Sequence, residues 1–174
     1  MADDIRERLA AVRQRIDAAA ARSGRSAAAV TLVVVSKTMP ASTVREAVAA
    51  GATILGENRV QEAADKVGQV PGVAEWHLIG HLQTNQAKVA ARLFDCVHSL
   101  DSIRLAHALD QAAGESGKRL RCLLQVNVGE EEQKSGVAAA EARALLGEAL
   151  RLPSLQVEGL MAIPPFLSDP EEVR

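Results

Sequence analysis

The chain has 174 residues, 48% of them hydrophobic, enough for one domain with a core and too apolar for a disordered segment. Twenty basic against twenty-two acidic residues leave a net charge of −2 with no basic tract, so nucleic-acid and membrane-surface binding lack electrostatic support. No apolar run approaches about 18 residues, the N-terminus is acidic, and Cys96 and Cys122 lie in apolar runs without a C-x-x-C partner. The expectation is a cytoplasmic protein with buried free thiols and neither secretion signal nor membrane span.

Asp3 or Asp4 can cap a first helix to about residue 22, with Ile5, Leu9, Val12 and Ile16 at helical spacing and Ser23-Gly24 at its end. Residues 31–38, T-L-V-V-V-S-K-T, follow as the opening strand. An unbroken run of β-branched residues predicts burial on both faces, as in a parallel sheet. Side-chain alternation puts Val33, Val35 and Lys37 on one face. A helix is predicted over 41–50, stopped by Gly51, then a short strand over 53–55 that delivers Gly56-Glu57-Asn58. Helix signals return over 60–67, and a turn with Pro71 spans 68–72. The third strand is 75–79, followed by Gly80-His81; residues 85–93 are helical, and 95–100 form a fourth strand ending in His98-Ser99-Leu100-Asp101. A helix over 102–114 precedes a fifth strand, 120–128, with Gln125 and Asn127 on one face. A loop over 129–136 carries Lys134-Ser135, a helix covers 138–152, and a sixth strand, 155–163, closes at Pro164-Pro165.

A helix followed by six strands with helices between them implies right-handed crossovers and a parallel sheet in one domain, 1–174. The G-x-G-x-x-G turn of a doubly wound nucleotide-binding sheet is missing. Polar residues instead collect at the C-terminal end of every strand, where barrels place their chemistry. The predicted fold is an α/β (β/α)8 TIM-type barrel with an extra N-terminal helix. Such a barrel needs eight strands and typically ~250 residues. The chain therefore reads as truncated after the sixth strand, with residues 170–174 the start of a helix cut short and a C-terminal segment expected to be missing.

Lys37, at the end of the first strand, is the candidate reactive residue. A surrounded, desolvated lysine loses its proton more easily, and the neutral amine can form an imine with an aldehyde such as pyridoxal 5′-phosphate (PLP). The competing reading is a strand-end lysine that snorkels to solvent. Lys134 could reach the same mouth, but beside Glu130, Glu131 and Glu132 it reads as a solvated loop residue. His77 and His81 straddle a strand end with no third ligand at a recognisable offset, so no metal site is expected. His98 reads as an inward-facing hydrogen-bonded residue and His107 as a helix-surface one. A triad from Ser99, His98 and Asp101 fails, because sequence neighbours on one strand end point to different sides.

Val35-Ser36-Lys37-Thr38, Gly56-Glu57-Asn58-Arg59-Val60-Gln61-Glu62 and the stretch from Trp76 to Asn85 together resemble the pyridoxal phosphate homeostasis proteins. So do His98 to Ser102, Leu124 to Val128, Lys134-Ser135-Gly136 and Gly159 to Pro165, in the family's order and spacing over nearly the whole chain. The resemblance implies a PLP-binding barrel related to the alanine racemase N-terminal domain and the fold-type III decarboxylases. It implies that Lys37 carries the cofactor as an internal Schiff base and that Asn58 is its neighbour. The family's phosphate grip comes from a late serine-containing loop and a glycine-rich turn, which have no counterpart in these residues, so tight cofactor binding is in doubt.

Two functions follow from the resemblance. One is cofactor storage and delivery to PLP-dependent apoenzymes without amino-acid turnover, hence no catalytic residue, in a monomer. The other is a racemase of the alanine racemase type. That chemistry normally needs an acid/base on the opposite face of the substrate complex, a tyrosine from another subunit in alanine racemase, and this sequence has no tyrosine. His81 or Cys96 could stand in, although Cys96 reads as core. A lysine-dependent aldolase is a third reading, with no partner residue selected for it.

Overall fold

The computed structural model describes residues 2–71, 75–129, 135–164 and 171. The first helix, α1 (Ala2–Arg22), gives way through a short 3-10 turn at Ala27–Ala29 to β1 (Val34–Val35). Strand and helix then alternate: α2 (Ala41–Ala49), β2 (Ile54–Glu57), α3 (Val60–Val67), β3 (Glu75–Leu78), α4 (Ala87–Leu93), β4 (Cys96–Leu100), α5 (Ile103–Glu115) and β5 (Leu120–Asn127). A two-residue β6 (Val137–Ala138), α6 (Ala142–Ala149) and β7 (Leu155–Met161) complete the order.

Every strand pairing is parallel, and from β1 to β5 each strand lies beside the next in the chain. β7 continues the progression on the far side of β5, from Leu120↔Leu155 to Gln125↔Met161. A doubly wound sheet would reverse its strand order part-way, and this one does not. Order without reversal, with helices on one side, is how a (β/α) barrel is wound.

Alternation within the strands explains the layers. Leu55, Leu78, Val97, Leu120, Cys122 and Leu124 are buried and join Val44, Val60, Ala63, Ala90, Phe94, Leu105, Leu109 and Leu145 of the helices in one core. Small alanines at the α4 and α5 contacts let the helices approach the sheet closely, and Phe94, fully buried, fills the space at the end of α4. Cys96 and Cys122 are free and buried, as the sequence suggests. The six main strands match expectation. The short β6, which pairs Val126↔Val137 and Asn127↔Ala138, lies where a loop and the start of a helix are predicted.

Two expectations are corrected. β1 is two residues long and not buried on both faces: Val35 is 49% exposed. It pairs only with β2, and no strand lies on its other side among the described residues, so its apolar run has nothing to cover it there. The helix predicted over 138–152 is shortened to Ala142–Ala149, because Val137 and Ala138 pair with β5 instead.

Candidate cofactor site

Lys37 follows β1 in a tight turn. The Met39 amide donates to the Ser36 carbonyl at 3.1 Å, which places Lys37 and Thr38 at the turn's two central positions. Thr38 has φ +63°, a conformation that glycine adopts readily and a β-branched residue rarely does. Strain of this kind is worth of order 1–3 kcal/mol and persists only where surrounding contacts impose it. Those contacts are present. Lys66 Nζ donates to the Ser36 carbonyl at 2.8 Å, to Glu57 Oε1 at 2.9 Å and to Glu62 Oε1 at 2.7 Å. The Ser36 hydroxyl donates to Glu57 Oε1 at 2.7 Å, and the Thr38 amide donates to Glu62 Oε1. Glu57 is fully buried and Lys66 nearly so. Burial pulls the Lys66 ammonium down, but hydrogen bonds to Glu62 and Glu57 outweigh it and the net shift is upward, so this amine stays charged and is no nucleophile.

Lys37 itself is exposed, which corrects the expectation of a desolvated amine. The cause is the same as for Val35: the turn sits at the edge of the sheet. Val33 lies on the inner face, where a Cβ on Gly56 would meet Val33 Cγ1 at 3.1 Å and Ile79 Cδ1 at 3.0 Å. Ser36, bonded to Glu57, points to the helix side, so alternation aims Lys37 inward with Val33.

Beside this turn, at the C-terminal ends of β2, β3 and β5, lies a cavity of about 240 Å³. Asn58, His81, Gln125, Asn127 and Ser135 are its polar lining, with Ile79 and Ile163 as apolar walls. Gly80 is required for its shape, since a Cβ there would come within 2.8 Å of Asn58 Cα and closer still to the Asn58 carbonyl oxygen. Gly136, at φ +125°, is held as closely: a Cβ would lie 2.7 Å from the Asn127 nitrogen. Gln125 donates to the Ser135 carbonyl at 3.2 Å, while its Oε1 is buried without a hydrogen-bond partner. Asp101 pairs with His81 at 3.4 Å, and burial pushes the Asp101 carboxyl above its usual range.

Under the mouth, the inner face of β3 and β4 carries a polar chain that sequence spacing does not reveal. His77 Nδ1 lies 2.9 Å from His98 Nε2, and His77 Nε2 lies 3.3 Å from Glu75 Oε2, which also accepts from Arg121 at 2.5 Å. Burial lowers both histidines, His98 to about 4, so the pair is neutral near pH 7. With a proton on His77 Nε2 toward Glu75, His77 Nδ1 accepts from His98. Cross-strand register His77↔Cys96 brings the Cys96 thiol into the same group, within 4.8 Å, a metal-type set missed by looking only along the sequence. The histidine nitrogens are already bonded to each other and burial pushes the thiol up to about 12. His107, as expected, sits on a helix surface, 3.0 Å from Glu148.

The alanine racemase N-terminal domain family matches residues 8–174. A pyridoxal phosphate homeostasis protein of Escherichia coli (strain K12) is 45% identical over 166 residues, spanning 93% of this chain and 71% of that one. This chain belongs to the pyridoxal phosphate homeostasis protein family. The family's member in Aquifex aeolicus (strain VF5) is 41% identical, with 97% and 74% of the two chains aligned. Among solved structures, PipY of Synechococcus elongatus PCC7942 with PLP bound superposes at a TM-score of 0.80, is 41% identical, and covers 94% of this chain and 73% of that one. Alanine racemase of Clostridium difficile 630, at 13% identity and a TM-score of 0.65 over 76% of this chain and 35% of that one, shares the fold.

The residues present fit part of the family's cofactor. An amine on an inward-facing turn, the unpartnered Gln125 oxygen and the amides of Asn58 and Asn127 suit a polar aromatic aldehyde. The cavity lining contains no lysine or arginine to meet a dianionic phosphate. Lys37 is not itself part of that lining, whereas Asn58 is. Lys134, the other candidate amine, and residues 165–170 lie outside the described residues. Sequence reasoning missed Glu62 and Lys66, although Glu four residues before Lys on a helix is a recognisable pair.

Proposed function

We propose that this chain binds pyridoxal 5′-phosphate through a Schiff base on Lys37, with Asn58 beside the cofactor, and serves intracellular PLP storage and delivery without turning over amino acids. The observation that carries this reading is the strained turn that sets Lys37 beside the cavity lined by Asn58, His81 and Gln125. The names of the relatives and the PLP-bound PipY structure support it. When bound, the cofactor supplies an aldehyde that condenses with an amine. Lys37 provides the amine, Asn58 and Gln125 provide hydrogen bonds, and Ile79 and Ile163 exclude water from one side. No helix among the described residues is long and apolar enough to cross a membrane. A cytoplasmic monomer that hands PLP to apoenzymes completes the proposal.

The test is spectroscopic. Adding PLP should produce absorbance in the ~410–430 nm region typical of its protonated imine, and Lys37→Ala should abolish it. A chromophore that survives in the variant refutes the assignment of Lys37 and turns attention to Lys134. Incubation of the loaded protein with single L-amino acids, followed by chiral chromatography, should leave them unchanged; rapid appearance of D-enantiomers would mean a racemase.

A further inference from the structure

The ion group beneath Lys37 is built unlike a chance surface pair. A lysine ammonium has three donors, and all three of Lys66 are used: on the Ser36 carbonyl, on Glu57 and on Glu62. Two carboxylates and one ammonium are drawn together where Glu57 is fully enclosed, an arrangement that an apolar core would replace at little cost to stability. What an apolar core could not do is hold the backbone of the next turn. The group touches both neighbours of Lys37: Ser36 through its carbonyl and hydroxyl, and Thr38 through its amide. Thr38 is also the one non-glycine residue with positive φ among the described residues, so the strained position is the one that is held.

We propose that Glu57, Glu62 and Lys66 are positioning residues that impose the 36–39 turn, and so determine where the Lys37 amine stands relative to the cavity. The inference rests on Lys37 being the residue that binds PLP. The division of labour between two lysines follows from it. Lys66 remains an ammonium, bonded on every side, and Lys37 is left as the amine that faces the mouth. Glu57 and Glu62 have separate tasks. Glu57 fixes the Ser36 side of the turn, and Glu62, reaching across from the first turn of α3, fixes the Thr38 side.

Lys66→Met alone would leave Glu57 buried without its counter-charge and could unfold the protein. The informative variant is the pair Glu57→Leu/Lys66→Met, which keeps the core filled and removes the hold on the turn. Circular dichroism and thermal melting establish that it is folded. Stopped-flow absorbance near 420 nm then follows capture of PLP, and borohydride reduction with peptide mass spectrometry locates the trapped pyridoxyl group. Displacing the amine by about 1 Å is expected to slow capture at Lys37 roughly ten- to hundred-fold. Exchange of the Thr38 amide with deuterium, measured without any cofactor, should accelerate at least about tenfold as its hydrogen bond to Glu62 is loosened. Adding Thr38→Gly, which makes the positive φ natural, is expected to recover most of the lost capture rate. Wild-type capture and exchange in the folded pair variant would overturn the proposal, and so would a loss that Thr38→Gly leaves untouched. Lys37→Ala separates this outcome from failure of the underlying reading: a trapped label that persists in that variant condemns Lys37, whereas a label always on Lys37 and formed at one rate condemns the positioning set alone.

Discussion

Gly80 gives the sharpest test of how the cavity is closed. It follows β3, and in Gly80→Ala the added methyl would lie 2.8 Å from Asn58 Cα and 2.9 Å from the Asn58 carbonyl carbon. Ordinary Cβ contacts begin near 3.4 Å, so the ends of β2 and β3 must separate by at least about 0.6 Å. The obstacle is backbone, not a side chain that can rotate away. The nearest inter-strand bond, Ile79 N–H to the Glu57 carbonyl at 2.9 Å, resists that separation. Overpacking of this size costs about 2 kcal/mol, which lowers the Tm of a chain this long by about 4–8 °C. Asn58 moves with the strand end, so PLP capture at Lys37 should weaken roughly tenfold, because small misplacements in a reacting site are costly. Gly68→Ala is the control, since nothing lies within 4 Å of its added Cβ and its φ of −70° suits alanine. The assay pairs differential scanning fluorimetry with PLP titration at ~420 nm. If Gly80→Ala melts and binds like Gly68→Ala, the close approach of the strand ends is not what shapes the cavity.

Other consequences are equally open to measurement. Asn58→Ala should weaken PLP binding by roughly five- to tenfold, about 1 kcal/mol for one lost hydrogen bond, without shifting Tm by more than about 2 °C. The folded protein binds fewer protons than the unfolded chain wherever His98 is lowered from 6.5 to about 4 by burial, so stability is present above about pH 6.5 and is lost as pH falls toward 4. The loss is bounded by about 3 kcal/mol at full protonation of the unfolded chain, and chemical denaturation at pH 7 and pH 4.5 should show a smaller pH dependence in His98→Gln. Equal pH dependence in the two proteins would show that this histidine is not the buried neutral group. Burial pushes the thiols of Cys96 and Cys122 up to about 12, so Ellman's reagent at pH 8 should label neither until denaturant is added. Fast labelling of the native protein would contradict the buried placement of both.

The order of strands and the parallel pairing were legible because alternation of apolar runs with helical spacing is a local property of the sequence. The extent of burial was not. T-L-V-V-V-S-K-T has the composition of a central strand, yet β1 is an edge, and whether a strand has one neighbour or two is decided by the rest of the fold. The same limit hid the contact of His77 with His98, which register brings together from residues 21 apart. It also hid the role of Glu57. At the sequence level Glu57-Asn58 reads as one polar strand end, like Ser36-Lys37. Side chains alternate, and neighbours on a strand end must therefore diverge. Ser36 and Glu57 turn to the helix layer and meet Lys66, while Lys37 and Asn58 belong to the mouth. Each polar dipeptide is thus one residue facing the mouth and one residue that holds it. Substitutions at 36 or 57 should accordingly change how Lys37 and Asn58 are placed without removing any group that would touch the cofactor.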